Sequence, residues 1–223
     1  TANAKSNGAA VVLSSPTEDK VTLNVDTWTH VAFLIEKREM RQVKQSYGLQ
    51  ERYAKNAAYT VGEVLENAII ALFSSFSQSV GSSTTTLVDS DIRKAIEYLD
   101  IAHAPVEGRA FFVHPTVFWS QIQGLDRFSL AVNSPVNDPT AKMPDAHLYG
   151  IPVYITSNIP YVTSTTGRVN ALAHKDAIVF GASSLDVASE YLLTYLGTLV
   201  VADMVYGVVE NRDAFGVRIL TSA

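Results

Sequence analysis

The sequence predicts an α+β fold in which strands from both ends of the chain form one sheet and the middle forms an inserted α/β domain. Strand-like patterns occur at residues 20–35 and again at 193–220, so we expect the two ends to pair. A helical apolar stripe of unusual length follows the first strand. Between these parts, short strands and short helices alternate, which is typical of a separate α/β unit.

The first predicted strand changes character along its length. Val21, Leu23 and Val25 alternate with polar residues, so this part predicts one buried and one exposed face. Over residues 28–35 apolar side chains occupy both sets of alternating positions, and we expect both faces to be buried.

The long helix is the strongest single signal in the sequence. Its apolar face recurs at steps of three, four or seven residues, with Gln50 at the one weak position. The face comprises Val43, Tyr47, Ala54, Ala57, Val61, Leu65, Ala68, Leu72 and Phe76. An unbroken helix of roughly 36 residues would be about 54 Å long, against a diameter of about 44 Å for a compact protein of this size. We therefore expect an extended molecule whose helix is covered by a long sheet or by neighbouring subunits, with a bend or break at Gly48 or Gly62.

The middle region predicts shorter elements. A second helix begins at a cap formed by Asp89 or Ser90 and ends before Ala104. A short helix is expected over 116–122, with both Phe118 and Trp119 packed inward. Strands are expected at 109–113, 151–155 and 177–180, and after them at 193–209 and 216–220, while 133–148 read as a proline-rich loop.

Composition and missing motifs exclude several classes of function. The 223 residues include no cysteine, which excludes disulfides, thiolate zinc sites and thiol catalysis. A formal charge of −5 opposes non-specific nucleic-acid binding, although a container that surrounds DNA without gripping it tolerates this balance. No apolar run approaches the roughly 18 residues that span a membrane. Because no nucleotide-binding, zinc-protease or hydrolase motif occurs either, we expect no enzyme activity, no cofactor, and neither a catalytic nor a metal site.

Three weaker alternatives involve histidines. His114 precedes a proline at a strand end and His174 lies beside Asp176, so each is either a hydrogen-bonded structural residue, which we favour, or the catalytic group of a cytoplasmic hydrolase. A metal site at Asp138, Asp145 and His147 is a third alternative, but the spacing is loose and we favour chance.

A charged cluster lies between the first strand and the long helix. It is either a solvated start of the helix or a set of salt bridges to a neighbouring subunit, and the sequence favours neither. The candidate subunit-interface residues are Asp19, Lys20, Glu36, Lys37, Arg38, Glu39 and Arg41.

Five stretches carry a family resemblance. They are 20–39 (KVTLNVDTWTHVAFLIEKRE), 109–118 (RAFFVHPTVF), 150–158 (GIPVYITSN), 169–181 (VNALAHKDAIVFG) and 202–220 (ADMVYGVVENRDAFGVRIL). Their order and spacing, with the long helix after the first stretch, resemble the major capsid proteins of tailed bacteriophages, which have the Hong Kong ninety-seven type capsid fold. The resemblance covers most of the chain.

The resemblance implies a domain organisation. Residues 1–26 would be part of an extended loop that overlaps a neighbour, without the family's N-terminal arm, so we expect chain upstream of Thr1. Residues 27–85 and 190–223 would form a peripheral domain with the long spine helix and an elongated sheet, and 86–189 an inserted axial domain. The last strands would lie beside residues 28–35.

The implied function is structural. Subunits of this family form hexamers and pentamers that tile an icosahedral capsid and enclose double-stranded DNA without binding it specifically. The expected partners are further copies of the chain, a scaffold and a portal protein, and a decoration protein; no membrane is involved. The expected location is the virion, after assembly in the host cytoplasm. An encapsulin-like compartment shell, built on the same fold, is the alternative.

Overall fold

The computed structural model describes residues 20–37, 49–125, 147–163 and 166–222. The helices are α1 (Leu49–Ala71), α2 (Asp89–Ile101) and α3 (Pro115–Val117), the last continuing as a π-helical turn over Phe118–Ile122. The strands are β1 (Thr27–Glu36), β2 (Gln78–Gly81), β3 (Arg109–Val113), β4 (His147–Leu148), β5 (Ile151–Ile155), β6 (Tyr161–Thr163), β7 (Thr166–His174), β8 (Ile178–Ala182), β9 (Asp186–Leu192), β10 (Gly197–Glu210) and β11 (Gly216–Thr221). They form one four-stranded and one seven-stranded sheet.

The four-stranded sheet is organised around β10. Along one edge β10 pairs antiparallel with all of β1, from Thr27 opposite Tyr206 to Glu36 opposite Gly197. Along its other edge it pairs first with β9 and then with β8. The prediction that the two ends of the chain meet in one sheet is therefore confirmed.

Helix α1 packs on one face of this sheet. Ala57 and Val61 of the helix are buried against Ala202, Met204 and Tyr206 of β10. This contact uses the apolar stripe that the sequence predicts, and it is separate from the larger core around the seven-stranded sheet.

The long helix ends earlier than predicted. It ends at Ala71 rather than near Phe76, and Phe73 and Phe76 turn into the core of the seven-stranded sheet. The 23 described residues correspond to about 34 Å, and the predicted start of the helix lies outside the described residues. Gly62 lies within the helix without a break, whereas Gly48 belongs to residues 38–48, which also lie outside the described part of the chain.

The prediction that both faces of residues 28–35 are buried is wrong. Val31 and Phe33 pack toward α1, but His30 and Ala32 are exposed and Trp28 is 71% exposed. The alternation is that of a strand with one open face, since no described residue forms a second layer over residues 28–34 on that side.

The seven-stranded sheet has the order β2-β11-β7-β3-β5-β4, with β6 attached to β7. Strands β3 and β5 are parallel neighbours, and the predicted strands at 109–113 and 151–155 are confirmed. Strand β11 lies between β2 and β7, so the expectation that the last strands all lie beside β1 holds for β10 but is wrong for β11. The two sheets do not divide at the predicted domain limits of 85/86 and 189/190. Strands β2 and β11, from the predicted peripheral domain, join the seven-stranded sheet, while β8 and most of β9, from the predicted axial domain, join the four-stranded sheet. The domain limits stay a prediction.

The two shorter helices partly match their predictions. Helix α2 begins at Asp89 after Val88, and Ile92, Ala95 and Leu99 are buried as expected, although no side chain caps the helix. In the predicted helix at 116–122, Phe118 is buried but Trp119 is 57% exposed. Adjacent helical residues point about 100° apart, so only one of the two rings faces the core.

Three connections in the described part of the chain run from one sheet to the other, and hydrogen bonds link them to one another. They run from α1 to β2, from β7 to β8 and from β10 to β11. Asn211 links two of them, because its backbone N–H donates to the carbonyl of Ala177 at 2.8 Å and its side-chain Nδ2 donates to the carbonyl of Asp176 at 3.0 Å.

Two carboxylates, Glu210 and Asp213, link the connection from α1 to β2 with the connection from β10 to β11. Ser75 Oγ donates to Glu210 Oε2 at 2.6 Å, and Ser77 donates its backbone N–H to Asp213 Oδ1 at 2.7 Å and its hydroxyl to the other oxygen. Burial alone would raise the pKa of Asp213, but the hydrogen bonds that it accepts from the hydroxyl and the backbone N–H of Ser77 outweigh burial and hold that pKa below its ordinary value. A carboxylate with a lowered pKa stabilises the fold at neutral pH, and its contribution is lost only as pH falls below about 4.

A pair of glycine substitutions tests the packing. The ring of Phe76 occupies the space that a Cβ at Gly216 would need, and the backbone there is extended, so Gly216→Ala meets a steric conflict. We expect it to lower the free energy of unfolding by about 1–3 kcal/mol. Gly62→Ala adds a methyl group to open space on an exposed helix face and should raise it by about 0.5–1 kcal/mol.

Urea unfolding of the unassembled protein measures both changes. Equal effects of the two substitutions would contradict the packing of Phe76 on Gly216.

Candidate assembly surfaces

The sheet face opposite α1 is called the open face. Alternate residues of a strand share a face, so the pairing registers define its members. They are Trp28, His30, Ala32, Leu34 and Glu36 of β1, Leu199, Val201, Asp203 and Val205 of β10, and Asp186, Ala188 and Glu190 of β9. The centre of the open face is apolar, and its carboxylates lie on three different strands.

Trp28 is anchored on the open face. Its indole Nε1 donates to Asp203 Oδ2 at 2.9 Å, across the β1–β10 pair, while most of the ring remains exposed. An indole with one satisfied polar atom and a large exposed apolar surface is typical of residues that become buried at protein–protein interfaces.

The four-stranded sheet contains no lysine or arginine in any of its strands. Its charged residues are all acidic: Glu36, Asp186, Glu190, Asp203 and Glu210. Asp186 stands directly opposite Asp203 in the β9–β10 pair. Like charges at directly opposite positions destabilise a sheet, so this pair favours binding of a cation.

The β9–β10 hairpin ends in an apolar tip. Leu193, Tyr195 and Leu196 are 78%, 63% and 62% exposed, although the residues are large and apolar. The backbone of the tip is fixed, since Leu196 accepts a 2.9 Å hydrogen bond from the N–H of Lys37. Exposed apolar side chains on this turn form a second surface of the kind that is buried in protein–protein interfaces.

Residues 20–26 cross the other end of the same face. Leu23 and Val25 lie against Gly181 of β8, and the backbone carbonyl of Asn24 lies so close to Gly207 of β10 that a Cβ at this position would collide with it. This segment leaves the sheet toward residue 20, where Lys20 is exposed.

The predicted interface residues fall into two groups. Glu36 and Lys37 are exposed at the end of β1, beside the hairpin tip, and Lys20 is exposed at the start of the described chain. Asp19, Arg38, Glu39 and Arg41 lie outside the described residues. Their role in subunit contacts therefore stays a prediction.

Both candidate catalytic histidines have structural partners. The ring Nδ1 of His114 accepts a hydrogen bond from the backbone N–H of Thr116 at 3.2 Å and so caps α3. The backbone N–H of His114 donates to Asn170 Oδ1 at 2.9 Å. Burial, and then the positive charge of Arg168, hold the pKa of His114 below its ordinary value.

His174 is held on both of its ring nitrogens. Nδ1 accepts the backbone N–H of Asp176 at 3.2 Å, so Nε2 is the nitrogen that donates to the carbonyl of Glu107 at 2.9 Å. Its ring packs edge-on against Phe215. In this tautomer neither nitrogen is available as a base.

A cleft of about 610 Å³ lies beside α2, lined by apolar residues that include Ile101 and Val106, with Arg93 and Asp100 at its rim. Among the described residues no cluster of histidine and acidic side chains has the geometry to hold a metal ion. His147 of the predicted metal trio lies in β4, whereas Asp138 and Asp145 fall outside the described chain. The described helices include none that is long and apolar enough to cross a bilayer.

Of the carboxylates on the open face, the sequence predicts only Glu36 as an interface residue, and it does not single out Asp186, Glu190 or Asp203. The signal was present in the strands themselves, because three carboxylates alternate with apolar residues at Asp186, Glu190 and Asp203, and no basic residue accompanies them.

Several solved structures have a fold similar to that of this chain. No family model and no curated protein sequence matches the chain. A solved structure from Mycobacterium phage Che8 is 17% identical, with a TM-score of 0.71 over 92% of this chain and 76% of that chain. The capsid of cyanophage P-SCSP1u is 15% identical, with a TM-score of 0.72 over 98% and 79%. The SrpI encapsulin of Synechococcus elongatus is 11% identical, with a TM-score of 0.63 over 86% and 72%.

The sequence identities are low, so these comparisons establish the architecture. Matches over almost the whole chain include both sheets and the helix that packs on the four-stranded one. The chain therefore has the fold of phage capsid proteins, which confirms the α+β architecture of Hong Kong ninety-seven type expected from its sequence.

Proposed function

We propose that the chain is the structural subunit of an icosahedral viral capsid, in which hexamers and pentamers enclose double-stranded DNA. The observation that carries this proposal is the open face. An exposed apolar sheet face and an exposed apolar hairpin tip are the kind of surface that a subunit buries against its neighbours.

The shape of the four-stranded sheet supports a tiling role. Strand β10 has 14 residues and is about 45 Å long, and β1 accompanies it over ten residue pairs. An elongated sheet with a helix on only one side presents a long second side to other subunits. We assign residues 27–85 and 190–223 to the peripheral part of the tile and 86–189 to its axial part, with β8 and most of β9 extending from the axial part into the four-stranded sheet and β2 and β11 from the peripheral part into the seven-stranded sheet.

The charge balance supports enclosure of DNA without a specific grip. The protein carries a formal charge of −5, and the four-stranded sheet contributes only acidic residues. Such a surface repels polyanionic DNA, so a shell would hold the DNA because the shell is closed and not because its subunits bind DNA. Scaffold, portal and decoration proteins, a place in the virion and assembly in the host cytoplasm belong to the same proposal.

A second candidate is an encapsulin-like compartment shell. It is favoured by one specific observation, the match to the SrpI encapsulin over 86% of the chain. Both candidates require closed shells, and the contents distinguish them. Nucleic acid inside purified particles supports the capsid, and enzyme cargo supports the compartment.

Substitution of the hairpin tip tests the assembly proposal. We expect the full-length wild-type protein to form closed shells in electron micrographs and to sediment as one large species. Leu193→Glu combined with Tyr195→Glu places charges where a neighbour would bury apolar groups, and should reduce the assembled fraction at least tenfold.

The matched control is Ile101→Glu combined with Val106→Glu, because these apolar residues are 65% and 73% exposed at the end of α2 and in the turn after it, away from the four-stranded sheet. Circular dichroism should be unchanged for all variants. A wild-type protein that remains a compact monomer would exclude the shell subunit.

Substitutions of His114 distinguish the hydrolase alternative from a structural role. An Asn side chain can accept the Thr116 N–H as a helix cap, but Ala cannot. We expect His114→Ala to lower the free energy of unfolding by about 1 kcal/mol more than His114→Asn does. Turnover of a simple ester by a monomeric wild-type protein, abolished in both variants, would instead support the hydrolase.

A further inference from the structure

We propose that the acidic side of the open face binds the basic segment of a second copy of this chain. The acidic side is Asp186, Glu190 and Asp203, and the basic segment is residues 37–55. This inference rests on the proposed shell function and names the contact that would fix the position of neighbouring subunits.

The acidic side lacks compensating charges within one subunit. Asp186 and Glu190 are exposed and form no ion pair in the part of the chain that the structure describes. Asp203 accepts only the neutral indole N–H of Trp28. Two carboxylates at directly opposite positions repel each other, so a cation placed between them would relieve that repulsion.

The chain concentrates its own cations in one place. Of its 17 lysines and arginines, six fall within residues 37–55, a segment that contains only two acidic residues. The six are Lys37, Arg38, Arg41, Lys44, Arg52 and Lys55. In the described part, Lys37 and Arg52 are exposed, and Lys55 pairs with Glu51 in its own helix.

The geometry favours a second copy as the source of these cations. Lys37 follows the end of β1, where Glu36 is opposite Gly197, whereas the Asp186–Asp203 pair lies about 20 Å farther along the sheet. Arg52 and Lys55 belong to α1, which packs on the opposite side of the sheet. Lys37 and the described cations of α1 therefore do not lie at the Asp186–Asp203 pair of their own subunit; Glu190, opposite Leu199, is the member of the acidic side nearer to Lys37.

The two complementary surfaces differ from each other, and this determines the kind of assembly. A contact between different surfaces of identical chains is heterologous and propagates from copy to copy; it closes into a ring where the rotation between copies allows closure and gives an open filament where it does not. The apolar centre and hairpin tip would supply the affinity, and the charges would select the register, since rim charges act mainly on specificity and association rate.

A charge exchange tests this contact in the full-length protein. Asp186→Lys with Glu190→Lys should reduce the assembled fraction at least tenfold at low ionic strength, and Lys37→Glu with Arg52→Glu should do the same. Combining all four substitutions should restore at least half of the wild-type assembly, because the charges are again complementary. Glu97→Lys, an equally exposed change on α2, is the control and should assemble normally.

The outcomes separate this inference from the proposed function. Wild-type shells together with normal assembly of the Asp186→Lys, Glu190→Lys variant would overturn the contact and leave the shell function standing. Loss of assembly in both pairs without recovery in the fourfold variant would also overturn it. A wild-type protein that never assembles would overturn both proposals.

Discussion

The pairing of β10 with β1 is the interaction on which the rest of the structure depends. Ten residue pairs join the beginning of the described chain to its C-terminal part, so everything between them is held as an insertion. The same strand carries β8 and β9 on its other edge and supplies the buried surface under α1. A disturbance of β10 would therefore disrupt the helix layer and the open face together.

The pairing also separates the two faces of the sheet by role. Val200, Ala202 and Met204 point toward α1 and are buried, so stability resides on that side. Val201 and Asp203, which alternate with them, point toward the open face. One set of alternating residues of this strand thus forms internal packing and the other forms part of the open face, as the proposed shell subunit requires.

The sequence predicts the regular elements better than their surroundings. The strand over 109–113, helix α2 and the pairing of the chain ends follow from periodicity, which reflects burial within one element. The end of α1 was missed because the apolar stripe continues into Phe76, which joins a different core. The open face was misread because an apolar strand looks the same in sequence whether its second face is covered by its own chain or by another.

The most direct test of this account is a reconstruction of the assembled particle by electron cryo-microscopy at side-chain resolution. The account predicts that the open face and hairpin tip of each copy are buried by neighbouring copies, with a basic side chain of one copy within about 4 Å of Asp186 or Glu190 of another. Shells in which the open face of every copy borders only solvent would contradict it.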